Sequence, residues 1–224
     1  LQESKVWPEW PNYGFMHSQS RTLLKNGGPD DEGIYSSPQH NLVLGNRRLA
    51  LLDLSDAGHQ PMSYNNGNYY ITYNGELYNF PQLKQELIAK GFSFKSNSDT
   101  EVILASFIAW GTKAFERFNG MFAFAIYDSH TQDIIICRDP FGIKPLYYYL
   151  DEKPLVFASE IKAILAHPSI DAAINNQGFV EYMWYGNTLG NNTFYDKIKE
   201  LSPGHFLTVS KNKVSISSYF LLSS

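Results

Sequence analysis

Residues 68–79 read "NYYITYNGELYN", and how the middle of this stretch is read decides the fold around it. Tyr69, Ile71 and Tyr73 recur at alternate positions, the two-residue period of a strand with one covered face. The strand then meets Asn74-Gly75. Taken locally, Asn-Gly is the strongest short-range signal for a tight hairpin, so the pair predicts a chain reversal. Downstream, Pro81 stands where a first helical turn tolerates its missing N–H. Leu83, Leu87 and Ile88 are expected on one helical face, with Gly91 as the stop. Ser98-x-x-Glu101 has capping-box spacing and opens a second helix, where Val102, Ile103, Phe107 and Trp110 predict an amphipathic pattern. A shorter helix is predicted over Thr112–Arg117.

Further along, "MFAFAIYD" (121–128), "DIIICRD" (133–139), "PLYYYL" (145–150) and "LVFAS" (155–159) read as strands. Their short connections favour antiparallel pairing, because a parallel return needs a crossover of about a dozen residues. Helices are predicted over Glu160–Ala166 and Gln177–Trp184, and closing strands over "HFLTV" (205–209) and "VSISSYF" (214–220). Upstream, "NLVLGNRRLALLDL" (41–54) predicts a strand pair or a strand bulged at Gly45. "HSQSRTLLK" (17–25) reads as a short helix, and "NGGPDDEG" (26–33) as a dense loop signal. Helices grouped between runs of antiparallel strands indicate an α+β layered architecture.

Composition narrows the function. A chain of 224 residues, 43% hydrophobic, buries a substantial core, and no linker-like stretch divides it, so residues 1–224 read as one domain. The net charge of −4 comes from scattered charges; without a run of Lys or Arg to neutralise phosphates, nucleic acid is not expected as a partner. The aromatic residues, 15% of the chain, fall at strand and core positions and need not form a base-stacking platform. No stretch reaches the ~18 apolar residues of a membrane span, and "LQESKVWPEW" is not a signal peptide. The single cysteine, Cys137, excludes an internal disulfide framework and fits a reducing, cytoplasmic compartment. It follows Ile134-Ile135-Ile136, an apolar run that raises a thiol pKa, so it reads as a core residue and not as a nucleophile. His59, His167 and His205 are scattered, and Asp30, Asp31 and Glu32 lack EF-hand spacing, so no metal is expected.

"GPDDEG" (28–33), "RRLALLDLSDAGHQPM" (47–62), "YNGELYN" (73–79), "SDTE" (98–101), "NGMFAFAIYD" (119–128), "RDPFGIKPLYY" (138–148), "FASEIKAIL" (157–165) and "LSPGH" (201–205) occur in one order. Together they resemble the glutaminase domain of asparagine synthetases, the class II glutamine amidotransferases, over about residues 28–220. The resemblance implies an N-terminal-nucleophile hydrolase fold, a four-layer αββα sandwich of two antiparallel sheets. It implies L-glutamine as substrate and ammonia as product, passed to a synthetase domain or subunit for asparagine biosynthesis. ATP and magnesium belong to that ligase partner; no cofactor is implied for this domain, and a homodimer is compatible with it.

By residue, the resemblance places the α-carboxylate of glutamine on Arg48, whose guanidinium can hold it with two charge-assisted hydrogen bonds. Arg47 is expected to face elsewhere. Asn74 and Gly75 match the oxyanion hole, and Glu76 and Asp99 match substrate contacts, Asp99 the better partner for the ammonium group. Leu51 and Leu52 match positions whose backbone lines the pocket. Without the resemblance, Arg48 is a surface arginine, Asn74-Gly75 a turn, and Asp99 an acid favoured by a helix N-terminus. The departure lies at the front. The family begins Cys-Gly-Ile, its cysteine attacking the amide with its own α-amine as base, whereas this chain begins Leu1-Gln2-Glu3 and carries "KNGG" (25–28) where His-Arg usually precedes Gly-Pro-Asp. Residues 1–33 are atypical. As it stands, the chain is expected to release no glutamate from glutamine; the alternative reading is a catalytically silent glutaminase-like scaffold or binding domain of an amide-forming, ATP-dependent synthetase.

Overall fold

In the computed structural model, which describes residues 5–6, 31–38, 42–48, 58–151, 155–211 and 213–221, the chain runs straight through Asn74-Gly75. Strands β1 (Lys5–Val6), β2 (Asp31–Ser37), β3 (Leu42–Arg48) and β4 (Met62–Tyr64) precede β5, which is continuous from Tyr69 to Leu77. β6 (Gly120–Asp128) pairs with β5 along its whole length, from Tyr69 opposite Asp128 to Leu77 opposite Gly120. Asn74 faces Ala123 and Gly75 faces Phe122 across this ladder. The hairpin expected at Asn74-Gly75 is therefore corrected. A partner far away in sequence supplies the backbone hydrogen bonds that a local turn would otherwise provide, and tertiary pairing overrides local preference. The turn sits at the preceding Asn-Gly instead. Asn65, Asn66 and Gly67 take φ of 52°, 56° and 81°, and Asn68 N–H donates to Asn65 O at 3.2 Å; Asn and Gly tolerate this left-handed region best.

β7 (Asp133–Arg138), β11 (His205–Ser210) and β12 (Lys213–Ser218) extend the ladder into a seven-stranded sheet of order β1-β12-β11-β7-β6-β5-β4. β8 (Tyr147–Leu150), β9 (Leu155–Ala158) and β10 (Ile198–Glu200) form a three-stranded sheet of order β10-β8-β9, and β2 pairs with β3. Every pairing between the named strands is antiparallel, as the short connections predict.

Strand alternation sorts the side chains into layers. From β6, Phe122, Phe124 and Ile126 pack with Ile71 and Leu77 of β5 against helix α1 (Phe80–Ala89), helix α2 (Asp99–Trp110) and the 3₁₀ helix Gly111–Arg117, through Leu87, Ile103 and Phe115. The intervening Ala123 and Ala125 face the other way, onto Tyr148 and Leu201, while Tyr127 packs on Leu42 and Leu44 of β3. Tyr149 and Val156 meet Ile164 of helix α3 (Ile161–Leu165) on the far side of the second sheet. Helix α4 spans Asn176–Tyr185. Helix, sheet, sheet, helix is the four-layer sandwich that the family resemblance implies, and it agrees with the α+β layering read from the sequence pattern.

Several local expectations need correction. β3 pairs with β2 in unbroken register, Ile34 opposite Gly45, so Gly45 carries no bulge. Asp31, Glu32 and Gly33, read as loop, belong to β2 because β3 offers them partners, and Glu32 forms an ion pair with Arg47 directly across. Ile88 is 54% exposed while Leu83 and Leu87 are buried; at about 100° per residue it stands well round the helix from Leu87. Residues Asp99 to Ser106 of α2 are all buried, so its first two turns are buried all round and not amphipathic. Ser98 Oγ caps this helix by accepting from Thr100 N–H at 3.1 Å. Glu101 does not close the box; it accepts from the N–H groups of Lys95 and Ser96 and from Ser96 Oγ. The helix predicted over residues 17–25 lies outside the described residues.

The helix-facing core centres on Phe115, which is fully buried with ring centroids 5.4 Å from Phe124, 5.5 Å from Phe206 and 5.9 Å from Tyr219. Phe115→Ala is expected to cost about 3–5 kcal/mol in urea unfolding, with the far-side substitution Val156→Ala costing less.

Candidate functional site

Because β5 does not turn, it carries Asn74, Gly75 and Glu76 as consecutive strand positions. Ile71, Tyr73 and Leu77 pack into the helix-facing core. Alternation puts Thr72, Asn74 and Glu76 on the opposite face, where β3 comes close. Thr72 Oγ1 donates to Gly45 O at 3.0 Å, and Asn46 Nδ2 donates to Thr72 Oγ1 at 3.1 Å and Tyr73 O at 3.2 Å. Asn74 is exposed, its Nδ2 reaching Ser159 Oγ only at 3.5 Å. Its amide is thus held loosely and open to a ligand.

Gly75 meets β6 at very short range. A Cβ there would lie 2.2 Å from Met121 O and 2.7 Å from Phe122 Cα, and one on Gly120 would lie 2.3 Å from Glu76 O. Side chains at either position would wedge the two strands apart. Glycine at both lets the backbones approach closely.

Asp99 approaches the same segment from the helix side. It is the first residue of α2 and only 4% exposed. Its Oδ2 accepts from Tyr73 OH at 2.8 Å and from Leu77 N–H at 2.9 Å. One carboxylate oxygen therefore grips β5 on both sides of Asn74-Gly75-Glu76. Burial raises the Asp99 carboxyl above the ordinary aspartate range, and the hydrogen bonds from Leu77 and Tyr73 oppose that rise. Burial, and then the neighbouring Asp99 charge, push the Tyr73 phenol far up, so it stays a neutral donor.

The structure thus brings Asn74, Gly75, Glu76 and Asp99 together. Arg48 ends β3 with its backbone opposite Asp31; its side chain, and the whole of Leu51 and Leu52, lie outside the described residues. Arg47 turns to Glu32, away from Asn46, as expected. Cys137 is fully buried, opposite Phe124 and Phe206 in the sheet, and burial pushes its thiol well above the ordinary value. Among the described residues no three His, Cys, Asp or Glu side chains gather as metal ligands, and no helix is long and apolar enough to cross a membrane. Two polar residues, Asn46 and Gln60, are marked by neither periodicity nor a turn signal, and Tyr73 is marked only as a strand position, because their hydrogen-bond partners are remote in sequence.

Residues 12–220 match the family model described as a glutamine amidotransferase domain. Asparagine synthetase [glutamine-hydrolyzing] 3 of Bacillus subtilis is 40% identical over 92% of this chain and 33% of its own length. Asparagine synthetase [glutamine-hydrolyzing] 1 of the same organism is 36% identical over 90% of this chain and 32% of its own. The chain therefore spans about a third of the length of these relatives. Among solved structures, the glutamine phosphoribosylpyrophosphate amidotransferase of B. subtilis superposes with a TM-score of 0.67, at 20% identity, over 97% of this chain and 49% of that one. It supports the layered α+β fold.

The raised Asp99 carboxyl has a testable sign. Its folded form binds a proton more readily than its unfolded form, so its charge costs stability once the pH exceeds the folded value, and that cost fades as pH falls toward the ordinary ~3.9. Asparagine keeps an acceptor for Tyr73 and Leu77 without the charge. Asp99→Asn is expected to raise the urea midpoint at pH 7 and to lose that advantage near pH 4, in unfolding curves measured across the range.

Proposed function

The chain belongs to the glutamine amidotransferase domain family, and from that premise we propose that it binds L-glutamine over the Asn74–Glu76 segment as the glutaminase module of an ATP-dependent, asparagine synthetase-like amidation. The observation that carries this reading is the grip of Asp99 on both Tyr73 and Leu77. It fixes from the helix side the strand segment that carries the exposed amide of Asn74. Glutamine presents complementary groups: an ammonium for Asp99 and Glu76, an α-carboxylate for Arg48, and a side-chain amide for Asn74 and Gly75. Leu51 and Leu52 are assigned backbone contacts to the ligand by the family resemblance alone.

In the mechanism that the family implies, a terminal cysteine thiol, supplied by no residue of this sequence, would add to the amide carbon while its α-amine, which titrates near pH ~8, would take the proton. The carbonyl oxygen becomes an oxyanion that Asn74 Nδ2 and the Gly75 N–H stabilise, each such donor supplying typically ~10²–10³ in rate. The proton passes to the departing ammonia, and water cleaves the thioester to glutamate. Cys137 is not that thiol, since it is sealed in the core among Phe124 and Phe206 with its proton firmly held. Ammonia then reaches a synthetase domain or subunit, which spends ATP with magnesium. A cytoplasmic setting agrees with one cysteine and no disulfide.

Calorimetric titration with L-glutamine tests the pocket apart from turnover. Saturable binding is expected, at least tenfold weaker in Arg48→Ala and unchanged in Arg47→Ala; no binding by the parent would refute the reading. Wherever glutamate release is measurable, Asn74→Ala is expected to lower kcat ~10²–10³-fold with little change in KM. Binding that persists with no glutamate released identifies the silent binding domain instead.

A further inference from the structure

The three contacts proposed for glutamine lie on separate elements: Arg48 on β3, Asn74 and Gly75 on β5, and Asp99 on α2. Nothing in the sequence connects them. One buried side chain does. Gln60, 6% exposed, lies in the segment leading to β4. Its Oε1 accepts from Tyr73 N–H at 2.7 Å and from Asn46 Nδ2 at 3.2 Å, and its Nε2 lies 3.4 Å from Thr100 Oγ1, to which it donates. Asn46 is two residues before Arg48, Tyr73 one before Asn74, and Thr100 one after Asp99. A single amide therefore ties residues within two positions of all three.

The Gln60 backbone is equally confined. Gly33 of β2, opposite Asn46, stands so near that a Cβ would lie 2.0 Å from Gln60 O. Glycine at this position lets β2 close over the residue, so the amide is presented from a fixed base. A glutamine in this place suits the task because its amide offers both an acceptor and donors. Buried polar groups must be paired, so the three segments cannot drift apart without stranding this amide in the core.

We propose that Gln60 is a positioning residue for glutamine, holding the carboxylate, oxyanion and ammonium contacts at their mutual spacing. The inference rests on the proposed function above. It makes Gln60 neither a ligand nor a catalytic residue; its effect on glutamine passes through Asn46, Tyr73 and Thr100.

The test is calorimetric affinity for L-glutamine in the full chain, with thermal midpoints recorded in parallel. Gln60→Met, which removes all three contacts, is expected to weaken binding at least tenfold. Gln60→Glu keeps acceptors for Tyr73 and Asn46 and is expected to stay within threefold of the parent. Val209→Ala, a buried substitution on β11, three strands away from β5, controls for lost stability and is expected to leave affinity within twofold. Should Gln60→Met not fold, Asn46→Ala and Thr100→Val each cut one tie and are expected to weaken binding threefold or more. Parental affinity in Gln60→Met, or in both single-tie variants, overturns the inference while leaving the site intact; so does equal weakening by Val209→Ala. A parent that does not bind glutamine, or binds it unaffected by Arg48→Ala, overturns the site itself and the inference with it.

Discussion

The pairing of β5 with β6 is the constraint on which the rest of the molecule depends. It runs unbroken from Tyr69–Asp128 to Leu77–Gly120 and joins segments about fifty residues apart in sequence. Because the ladder is continuous, alternation is preserved on both strands, and one face can be apolar for the helices while the other receives the second sheet. A reversal at Asn74-Gly75 would have ended β5 early and exposed half of β6. The two glycines, Gly75 and Gly120, show how closely this junction is packed, since a Cβ on either would strike the partner backbone.

Polar groups are the second organising feature. The interior contains charged side chains held by several hydrogen bonds each. Asp139, completely buried, accepts from the N–H groups of Phe122, Phe141, Ile143 and Lys144. Its neighbour Arg138 donates to the carbonyls of Gly142, Lys144 and Leu201 and pairs with Glu200 at 2.7 Å. Leaving such groups unpaired in the interior would cost more than the hydrogen bonds themselves contribute, so these side chains specify one arrangement of the connecting loops. Asp99 belongs to the same class structurally, yet what it anchors is the strand segment Tyr73–Leu77 and not a loop.

The site is consequently a product of sheet geometry and of buried polar ties acting together. β5 supplies three adjacent residues in an extended conformation, Asp99 brackets them from one side, and Gln60 connects their strand to β3 and α2 from the other. The glycine that admits close approach of β6 stands between Asn74 and Glu76, in the segment assigned to the proposed chemistry.

The strands from Gly120 onward other than β10, both helices after Pro81, the α+β class and the core role of Cys137 were legible in the sequence, because they follow from local periodicity, capping residues and apolar runs. The ordered phrases also name Arg48, Asn74, Gly75, Glu76 and Asp99 as the proposed set, of which the fold places Asn74, Gly75 and Glu76 consecutively on β5 with Asp99 holding the same strand. What the sequence could not decide was which Asn-Gly turns the chain: Asn66-Gly67 and Asn74-Gly75 are chemically alike, and only the pairing with β6 distinguishes them. It equally could not reveal that Glu101 anchors a loop, that Ile88 faces solvent, or that Gln60 joins three elements. Local chemistry states what a residue is able to do, whereas hydrogen bonds and packing between distant segments select which of those abilities is used.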